Sequence, residues 1–264
     1  MPGLRLSEIW IYPVKSLGGV RVEKARVLEK GLQHDRRWML IDENGKFLSQ
    51  RSHPMMSLFK IRNNETGFEI SFQGEVLELK TEPAAGAERT AVIWDDTVSV
   101  VEAATGYHRW FSDRLHFDCR LVSFPESNPR LIDPDYRLAG ESVSLADGYP
   151  MLIIGQASLD DLNGRLNEPV PMNRFRPNFV FTGGTPYEEE KWHEFKIGQN
   201  AFVGVKPCAR CQVTTVDQQT AMVGKEPLLA LSKYRRWNGN IYFGLNVIPV
   251  DLNEVHESDE IRLG

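Results

Sequence analysis

Short runs of alternating apolar and polar residues, joined by turn signals, fill the first hundred residues of the chain. Residues 67–80 read GFEISFQGEVLELK, in which every second residue of the first run is apolar and a Gln-Gly pair precedes the second run. A period of two predicts a half-buried strand, and a glycine-containing link between two such runs predicts a β-hairpin. Residues 36–51 join an apolar run to a second run through Asp42-Glu43-Asn44-Gly45, and residues 90–102 form a third such pair that turns near Asp95-Asp96. The pattern favours paired antiparallel strands over a parallel βαβ sheet.

Few segments show a helical period. Apolar residues between 103 and 117 fit one face of a helix, and EPLLALSKYRRW at 226–237 reads as a short helix. The clearest helix is SLDDLNGRLN at 158–167, for which Ser158 is the predicted N-cap and Asp161 completes a capping-box-like pattern. We therefore predict a mainly β fold with a few helices (α+β), built as β-barrels or sandwiches.

Two further segments bear on the search for a site. Residues 124–150 hold four prolines and little regular pattern, so we predict a long loop with a functional role. Residues 211–217, CQVTTVD, alternate and are rich in β-branched residues, so we predict a strand.

Length and composition are typical of a soluble globular protein. The 264 residues suffice for one large domain or two small ones, with a boundary near residue 120. The sequence shows no run of 18 apolar residues and no signal-peptide pattern, so we expect no membrane span and no secretion. Three cysteines make an odd number that does not suggest a disulfide framework, and a cytoplasmic location is expected.

The net charge of −5 disfavours binding to a nucleic-acid polymer. A local cluster of cations in such a chain is nevertheless suited to a small anion. Taken alone, each cation is more simply explained as part of a solvated surface. The basic residues near motif-like positions are Lys15, Arg36, Arg37, Arg51, Arg174, Arg176, Lys206 and Arg210.

The stretch KPCARCQVTTVD at 206–217 contains two of the three cysteines, Cys208 and Cys211. A structural zinc site needs four ligands, and no second Cys-x-x-Cys or nearby histidine supplies the missing two. In thioredoxin-like proteins the pair of thiols lies at the N-terminus of a helix, whereas a strand is predicted here. A single reactive thiolate is a third reading, since Arg210 precedes Cys211 and nearby cations lower a thiol pKa. Both cysteines also suit a plain role as small core residues.

Several motifs in order along the chain resemble one known family. Together they resemble the MOSC family, which includes the C-terminal domain of molybdenum-cofactor sulfurases and the mitochondrial amidoxime-reducing components with their bacterial relatives. The matching motifs are IWIYPVKSLGG at 9–19, DRRW at 35–38, SLDDLN at 158–163, FRPN at 175–178, KPCARCQVTTVD at 206–217, EPLLALSKYR at 226–235 and FGLN at 243–246.

The resemblance implies a fold and a set of site residues. It implies an N-terminal β-rich, barrel-like domain over residues 1–120 and a MOSC β-barrel over 121–264, with a molybdenum cofactor (Mo-molybdopterin) between them. It implies that Cys211 ligates molybdenum and that Asp147 lies close to the metal. The implied contacts to the pterin and its phosphate are Lys15, Ser16, Arg36, Arg176, Asn178 and Arg210.

The implied chemistry agrees with the residue types. Molybdenum in an enedithiolate favours a soft thiolate, and arginines grip phosphate in bidentate fashion. Asn178 can satisfy either the pterin's amide edge or a backbone group. Asp147 or a bound water would supply protons.

The resemblance also implies an activity and partners. We expect a reductase of N-oxygenated compounds such as hydroxylamines, N-hydroxylated bases or amidoximes. Electrons would come from a separate ferredoxin-like or cytochrome b5-like protein, because the sequence shows no flavin, haem or cluster motif.

Two departures from the family's motifs and two alternative functions bear on this expectation. Ala209 stands where amidoxime reducers often carry a hydroxyl residue, so we expect one hydrogen bond fewer. Gly148-Tyr149 stands where those relatives have small hydroxyl residues, which affects the substrate pocket. One rival is a sulfur or molybdenum-cofactor carrier that holds a persulfide on Cys211 or Cys208. The other rival is a thiol oxidoreductase, which would require both cysteines.

Overall fold

The computed structural model describes residues 3–82, 84–136 and 140–264. Its α-helices are α1 Thr105–Leu115, α2 Gln156–Asn163 and α3 Leu228–Ser232. Its strands are β1 Arg5–Ile11, β2 Val20–Val22, β3 Lys24–Leu28, β4 Gly31–Leu32, β5 Trp38–Ile41, β6 Lys60–Asn63, β7 Gly67–Phe72, β8 Glu75–Lys80, β9 Glu88–Ile93, β10 Asp96–Glu102, β11 Arg120–Ser123, β12 Met151–Gly155, β13 Phe179–Thr182, β14 Glu194–Ile197, β15 Asn200–Ala209, β16 Arg236–Trp237, β17 Asn240–Pro249, β18 Glu254–His256 and β19 Ile261–Leu263. Short 3₁₀ turns lie at Pro54–Leu58, Pro134–Tyr136, Met172–Arg174, Glu188–Lys191 and Gln212–Thr215.

One large sheet organises the fold. It runs in the order β19-β14-β15-β17-β12-β13-β1-β2, and β16 pairs with β17 at its side. Its strand pairs are antiparallel except β12 with β13, which are parallel. Smaller sheets have the orders β5-β11-β10-β9, β18-β3-β4 and β6-β7-β8. The prediction of a mainly β fold with few helices is confirmed.

The first two strands belong to the large sheet. Ile9 of β1 pairs with Phe179 of β13 on one side and with Val22 of β2 on the other. Both Ile9 and Phe179 are fully buried in one core cluster. This pairing sets the residues that follow β1 beside those that precede β13, and both segments reach the site described below. The domain boundary near residue 120 stays a prediction.

Two of the three predicted hairpins are confirmed. Residues 67–80 form β7 and β8, and residues 90–102 form most of β9 and β10. The hairpin over 36–51 is formed only in part. Phe47 bridges to Ile41 of β5 and the N–H of Leu48 donates to the carbonyl of Leu40, but Lys46 bridges to Val92 of β9. There the backbone N–H of Phe47 donates to the carbonyl of Val92 at 3.1 Å.

The helix predicted at 158–167 begins earlier than expected, and Ser158 is not its N-cap. The helix α2 starts at Gln156 after Gly155, so Ser158 lies inside its first turn and is fully buried. Its hydroxyl lies 2.9 Å from Oε1 of Glu189, and the N–H of Gly155 donates to the same oxygen at 3.1 Å. The buried carboxyl of Glu189, which comes from a distant turn, therefore accepts hydrogen bonds at the start of the helix in place of a local N-cap side chain.

The strand predicted at 211–217 is wrong. Residues Gln212–Thr215 form a 3₁₀ turn. The hydroxyl of Thr214 donates to the carbonyl of Cys211 at 3.0 Å, and the hydroxyl of Thr215 donates to the carbonyl of Gln212 at 2.8 Å. Threonine hydroxyls that bond to the preceding turn offer the backbone a local alternative to a sheet ladder.

The remaining helical predictions agree with the structure. The helical segments predicted at 103–117 and 226–237 contain α1 and α3, respectively. The long segment 124–150 carries one 3₁₀ turn and an isolated bridge, and its residues 137–139 lie outside the described part. Within the described ranges, no helix is both long and apolar enough to span a membrane.

Candidate active site

A cleft of about 140 Å³ gathers all the residues that the sequence predicted for a site. Lys15 and Ser16 follow β1, Arg36 precedes β5, and the other five flank strands of the second half of the chain. The predicted residues that line the cleft are Lys15, Ser16, Arg36, Asp147, Arg176, Asn178, Arg210 and Cys211. The structure thus brings together residues up to 196 positions apart, and their roles toward a cofactor stay predictions.

Three of these residues have left-handed backbone conformations. The φ angles are 68° at Ser16, 50° at Arg36 and 56° at Arg176. Such a conformation costs a non-glycine residue roughly 1 kcal/mol or more, so surrounding contacts must hold it. The carbonyl of Ser16 accepts from the Gln50 amide at 2.8 Å, and the N–H of Arg36 donates to the carbonyl of Tyr12 at 2.8 Å. Strain of this kind is typical of functional sites.

Two arginines share one aromatic ring. The guanidinium groups of Arg36 and Arg176 lie 4.3 Å and 4.2 Å from the centroid of the Tyr12 ring. The fully buried Asp35 accepts from Arg36 Nη1 at 2.7 Å. Burial lowers the pKa of Arg176 to about 10, and the neighbouring Arg36 adds to that effect. Arg176 nevertheless stays cationic at neutral pH, so the cleft keeps a buried excess of positive charge.

Asn178 joins the arginines to the sheet. It is 1% exposed, and its amide Nδ2 donates to the carbonyl of Trp10 at 3.1 Å. Its Oδ1 accepts from Arg36 Nη1 at 3.0 Å and from the N–H of Leu152 at 3.3 Å. The sequence predicted either the pterin or a backbone group as the partner of this amide, and the structure shows bonds to two backbone groups. Asn178 therefore positions Arg36 within the cleft.

Lys15 and Asp147 form an ion pair inside the cleft. Nζ of Lys15 lies 2.6 Å from Oδ1 of Asp147, and Trp94 Nε1 donates to the same oxygen at 3.2 Å. The Asp147 side chain remains 73% exposed, whereas that of Lys15 is 7% exposed. Burial lowers the pKa of Lys15, and Asp147 opposes this shift. Partial loss of contact with water raises the pKa of Asp147. The positive charge and hydrogen bond of Lys15 lower that pKa by more, so it lies below its usual range.

Sequence reasoning missed two residues that shape this corner. Buried Arg130 donates to the carbonyls of Ser144 at 2.7 Å and of Asp147 at 3.0 Å, and so holds the loop that carries Asp147. Trp94 occupies the β9–β10 turn with a φ of 55°. A large apolar residue in a turn was a usable signal for Trp94. Arg130 offered no signal beyond its place in the loop predicted to be functional.

The two cysteines have different surroundings. Arg210 Nη1 donates to the Sγ of Cys208 at 2.9 Å, and its Nη2 donates to the carbonyl of Phe175 at 2.7 Å. Burial raises the pKa of the Cys208 thiol, and Arg210 acts against that rise. Both cysteines are free and half-buried, and both line the cleft; Cys211 lies immediately before the 3₁₀ turn. The arginine beside Cys211 in sequence therefore contacts the other cysteine.

The donor set of the cleft suits an anionic cofactor whose metal binds thiolate. Cys208 and Cys211 offer thiols, and Lys15, Arg36, Arg51, Arg176 and Arg210 offer positive charge. The buried Nε of Arg210 has no hydrogen-bond partner among the described residues. In that same part of the chain, no group of three or more His, Cys, Asp and Glu side chains is placed to hold a metal ion alone. The four-ligand zinc alternative therefore finds no support.

Two family models match the chain, one for each half. The MOSC N-terminal beta barrel domain matches residues 3–118, and the MOSC domain matches residues 140–264. A chain with these two halves and this cleft is a MOSC-domain protein. It belongs to the MOSC family together with the mitochondrial amidoxime-reducing components, as the relatives below show.

Relatives of two kinds are about equally similar to the chain. Mitochondrial amidoxime-reducing component 1 of Mus musculus is 32% identical over 242 residues, which cover 87% of this chain and 71% of that protein. Molybdenum cofactor sulfurase of Arabidopsis thaliana is 31% identical over 268 residues, which cover 92% of this chain and 33% of that protein. The chain thus spans about a third of the sulfurase. Among solved structures, the YUAD protein from Bacillus subtilis has a TM-score of 0.45 and 12% identity, covering 98% of this chain and 93% of that one.

Proposed function

We propose that the chain is a molybdenum-cofactor-dependent reductase of N-oxygenated compounds, such as hydroxylamines, N-hydroxylated bases and amidoximes. The observation that carries the proposal is one cleft that combines the thiols of Cys208 and Cys211 with five cationic side chains, which belong to Lys15, Arg36, Arg51, Arg176 and Arg210. The relatives named amidoxime-reducing components, of which the chain covers more than two thirds, support the reaction class. The free thiols also support our proposal of a cytoplasmic location.

The residues divide into a metal end and an anion end. We assign Cys211 as the ligand of molybdenum, because molybdenum in an enedithiolate favours a thiolate and, of the two thiols that line the cleft, Arg210 holds the other one, Cys208. We assign Arg36 and Arg176 to the pterin phosphate, with the N–H and hydroxyl of Ser16 as neutral donors, and we assign Lys15 with its partner Asp147 to the metal end. Arg210 completes the cationic lining while it holds Cys208. When bound, the cofactor supplies two-electron redox chemistry.

Proton supply falls to the pair formed by Lys15 and Asp147. Reduction of an N–O bond to release water consumes protons, so a proton-bearing group must reach the substrate. Asp147 is ionised at neutral pH, because Lys15 holds its pKa low. Lys15 carries the proton of this pair at 2.6 Å. We therefore propose Lys15 as the proton donor and Asp147 as the group that orients it and keeps it charged.

Turnover with an artificial reductant tests this function directly. The experiment compares the cofactor-loaded parent with Cys211→Ala and with Cys208→Ser, using reduced methyl viologen and hydroxylamine or benzamidoxime. We expect the parent and Cys208→Ser to turn over and Cys211→Ala to lose turnover. A loaded parent that reduces neither substrate contradicts the proposal. Equal losses in both cysteine variants favour the thiol oxidoreductase instead.

A sulfur or molybdenum-cofactor carrier is the second candidate. It is favoured by the contact between Arg210 and the Sγ of Cys208, since a guanidinium at 2.9 Å stabilises an anionic sulfur. The similarity to proteins named molybdenum cofactor sulfurase also supports it. Mass spectrometry of the purified protein separates the two functions. A persulfide on Cys208 or Cys211, in protein that carries no pterin, supports the carrier.

A further inference from the structure

Exposed apolar side chains gather in the segment that follows the cysteine pair. Met222 is 72% exposed, Val223 47%, Leu229 45% and Trp237 37%. Four of the twelve large hydrophobic residues exposed in the described part of the chain thus fall within sixteen positions. We call these four residues the apolar patch. Aromatic and methionine side chains are enriched at protein interfaces, so such a group points to a partner.

The patch is tied to the Cys211 segment on both sides. The ring of Trp237 stacks on that of Tyr242 at 4.1 Å, and Tyr242 pairs with Ala209, two residues before Cys211. On the other side, Val223 bridges to Val216 in the segment that leaves the 3₁₀ turn. Consecutive Cα atoms are about 3.8 Å apart and paired strand Cα atoms about 5 Å apart. Tyr242 therefore lies within a short distance of the proposed metal ligand.

The charge of this region is opposite to that of the whole chain. Residues 206–242 contain six basic and two acidic side chains, whereas the chain carries a net charge of −5. Arg235 is paired with Glu190. Lys225, Lys233 and Arg236 are exposed and make no ion pair or side-chain hydrogen bond within the described ranges. Their charge is therefore free to meet an acidic partner.

We infer that the apolar patch, with Lys225, Lys233 and Arg236 of the same stretch of chain, is the docking surface for a small electron-carrier protein with an acidic face around its redox centre. This inference rests on the proposed function, which needs electrons from a separate protein. Electron transfer weakens steeply with distance, so a carrier must dock near the metal ligand. The stacked Trp237 and Tyr242 lead from this surface to the strand that ends just before Cys211.

Binding titrations test the surface independently of turnover. The cofactor-loaded protein is titrated at low salt with a plant-type [2Fe–2S] ferredoxin and with the haem domain of a cytochrome b5, each chosen for an acidic face. The variants are Trp237→Ala and the double charge reversal Lys233→Glu with Arg236→Glu. A matched control reverses Lys80 and Lys196, which are exposed on other strands. We expect at least one carrier to bind the parent, and about tenfold or more weakening in the patch variants alone.

Other results overturn the inference. Binding of neither carrier to the parent does so, as does equal weakening by the control reversal. Sedimentation that shows a dimer broken by Trp237→Ala assigns the surface to a second copy of the chain. Flotation with vesicles of anionic lipid, lost in the double reversal, assigns it to a membrane.

Turnover with reduced methyl viologen separates this inference from the proposed function. The patch variants should keep viologen-driven turnover and lose carrier-driven turnover by about tenfold or more. Absence of viologen-driven turnover in the parent contradicts the proposed reductase function. Normal viologen-driven turnover, with carrier binding unchanged in the patch variants, contradicts the docking surface alone.

Discussion

Lys15 and Asp147, 132 positions apart in the chain, meet with Nζ 2.6 Å from Oδ1 inside the cleft. Arg130 fixes the backbone of Asp147, and Trp94 donates to the same carboxylate oxygen. Lys15 holds the pKa of Asp147 low, and Asp147 opposes the lowering of the pKa of Lys15 by burial. The proposed reductase thus has a paired lysine in the same cleft as Cys211.

Replacement of Asp147 by Asn should change the pH profile of turnover. Burial lowers the pKa of Lys15, and Asp147 opposes that shift, so its loss lowers the pKa of Lys15 further. A donor loses its proton as pH rises through its pKa. The alkaline limb of kcat should therefore move to lower pH in Asp147→Asn. The cofactor content is measured alongside, and an unmoved alkaline limb in fully loaded protein contradicts the role of Lys15.

Replacement of Asn178 by Ala should destabilise the fold. The change leaves the carbonyl of Trp10 and the N–H of Leu152 without their amide partner, and Arg36 loses one acceptor. Buried polar groups left unpaired cost about 1–3 kcal/mol each, so we expect a loss of roughly 2–4 kcal/mol in the free energy of unfolding. Urea denaturation measures it. Asn240→Ala, at an exposed site, is the control, and equal stability of the two variants contradicts the stabilising role of these hydrogen bonds.

Ionisation of buried Glu189 should make stability depend on pH. Burial raises the pKa of Glu189 from 4.5 to about 7. The folded state therefore favours the protonated acid. This contribution is complete below about pH 4.5 and is lost as pH rises through 7, and at most it reaches about 3 kcal/mol.

Glu189→Gln tests that dependence. Glutamine stays uncharged, so the variant should lose less stability than the parent between pH 5 and pH 8. Glu194→Gln, at an exposed carboxyl, should follow the parent. Urea denaturation at both pH values gives the comparison. Parallel pH curves for parent and Glu189→Gln contradict the raised pKa.

The sequence predicted local features better than long-range pairing. Alternation at residues 67–80 sufficed for a hairpin, because neighbouring runs paired with each other. It did not show that β1 pairs with β13, 170 positions later, because alternation identifies a strand without naming its partner. The wrong strand at 211–217 has a local cause, since the hydroxyls of Thr214 and Thr215 satisfy the backbone there.

The residues of the cleft were predicted through motifs, and the structure explains why motifs suffice. Lys15 lies four residues after β1, Arg36 two residues before β5 and Arg176 three residues before β13. Ser16, Arg36 and Arg176, which line the cleft, also have left-handed backbone conformations. The groups that hold these residues in place belong to residues distant from them in the sequence. Asn178 was predicted as a cofactor contact, and its bonds to backbone groups needed the three-dimensional structure.

Cofactor content tests the central claim most directly. Parent, Cys211→Ala and Cys208→Ser are produced in a host that makes molybdenum cofactor, and molybdenum and pterin are measured in each. We expect near-equal amounts of molybdenum and pterin in the parent and in Cys208→Ser, with molybdenum lost from Cys211→Ala. A parent with neither molybdenum nor pterin, or a Cys211→Ala variant with full molybdenum, would contradict it.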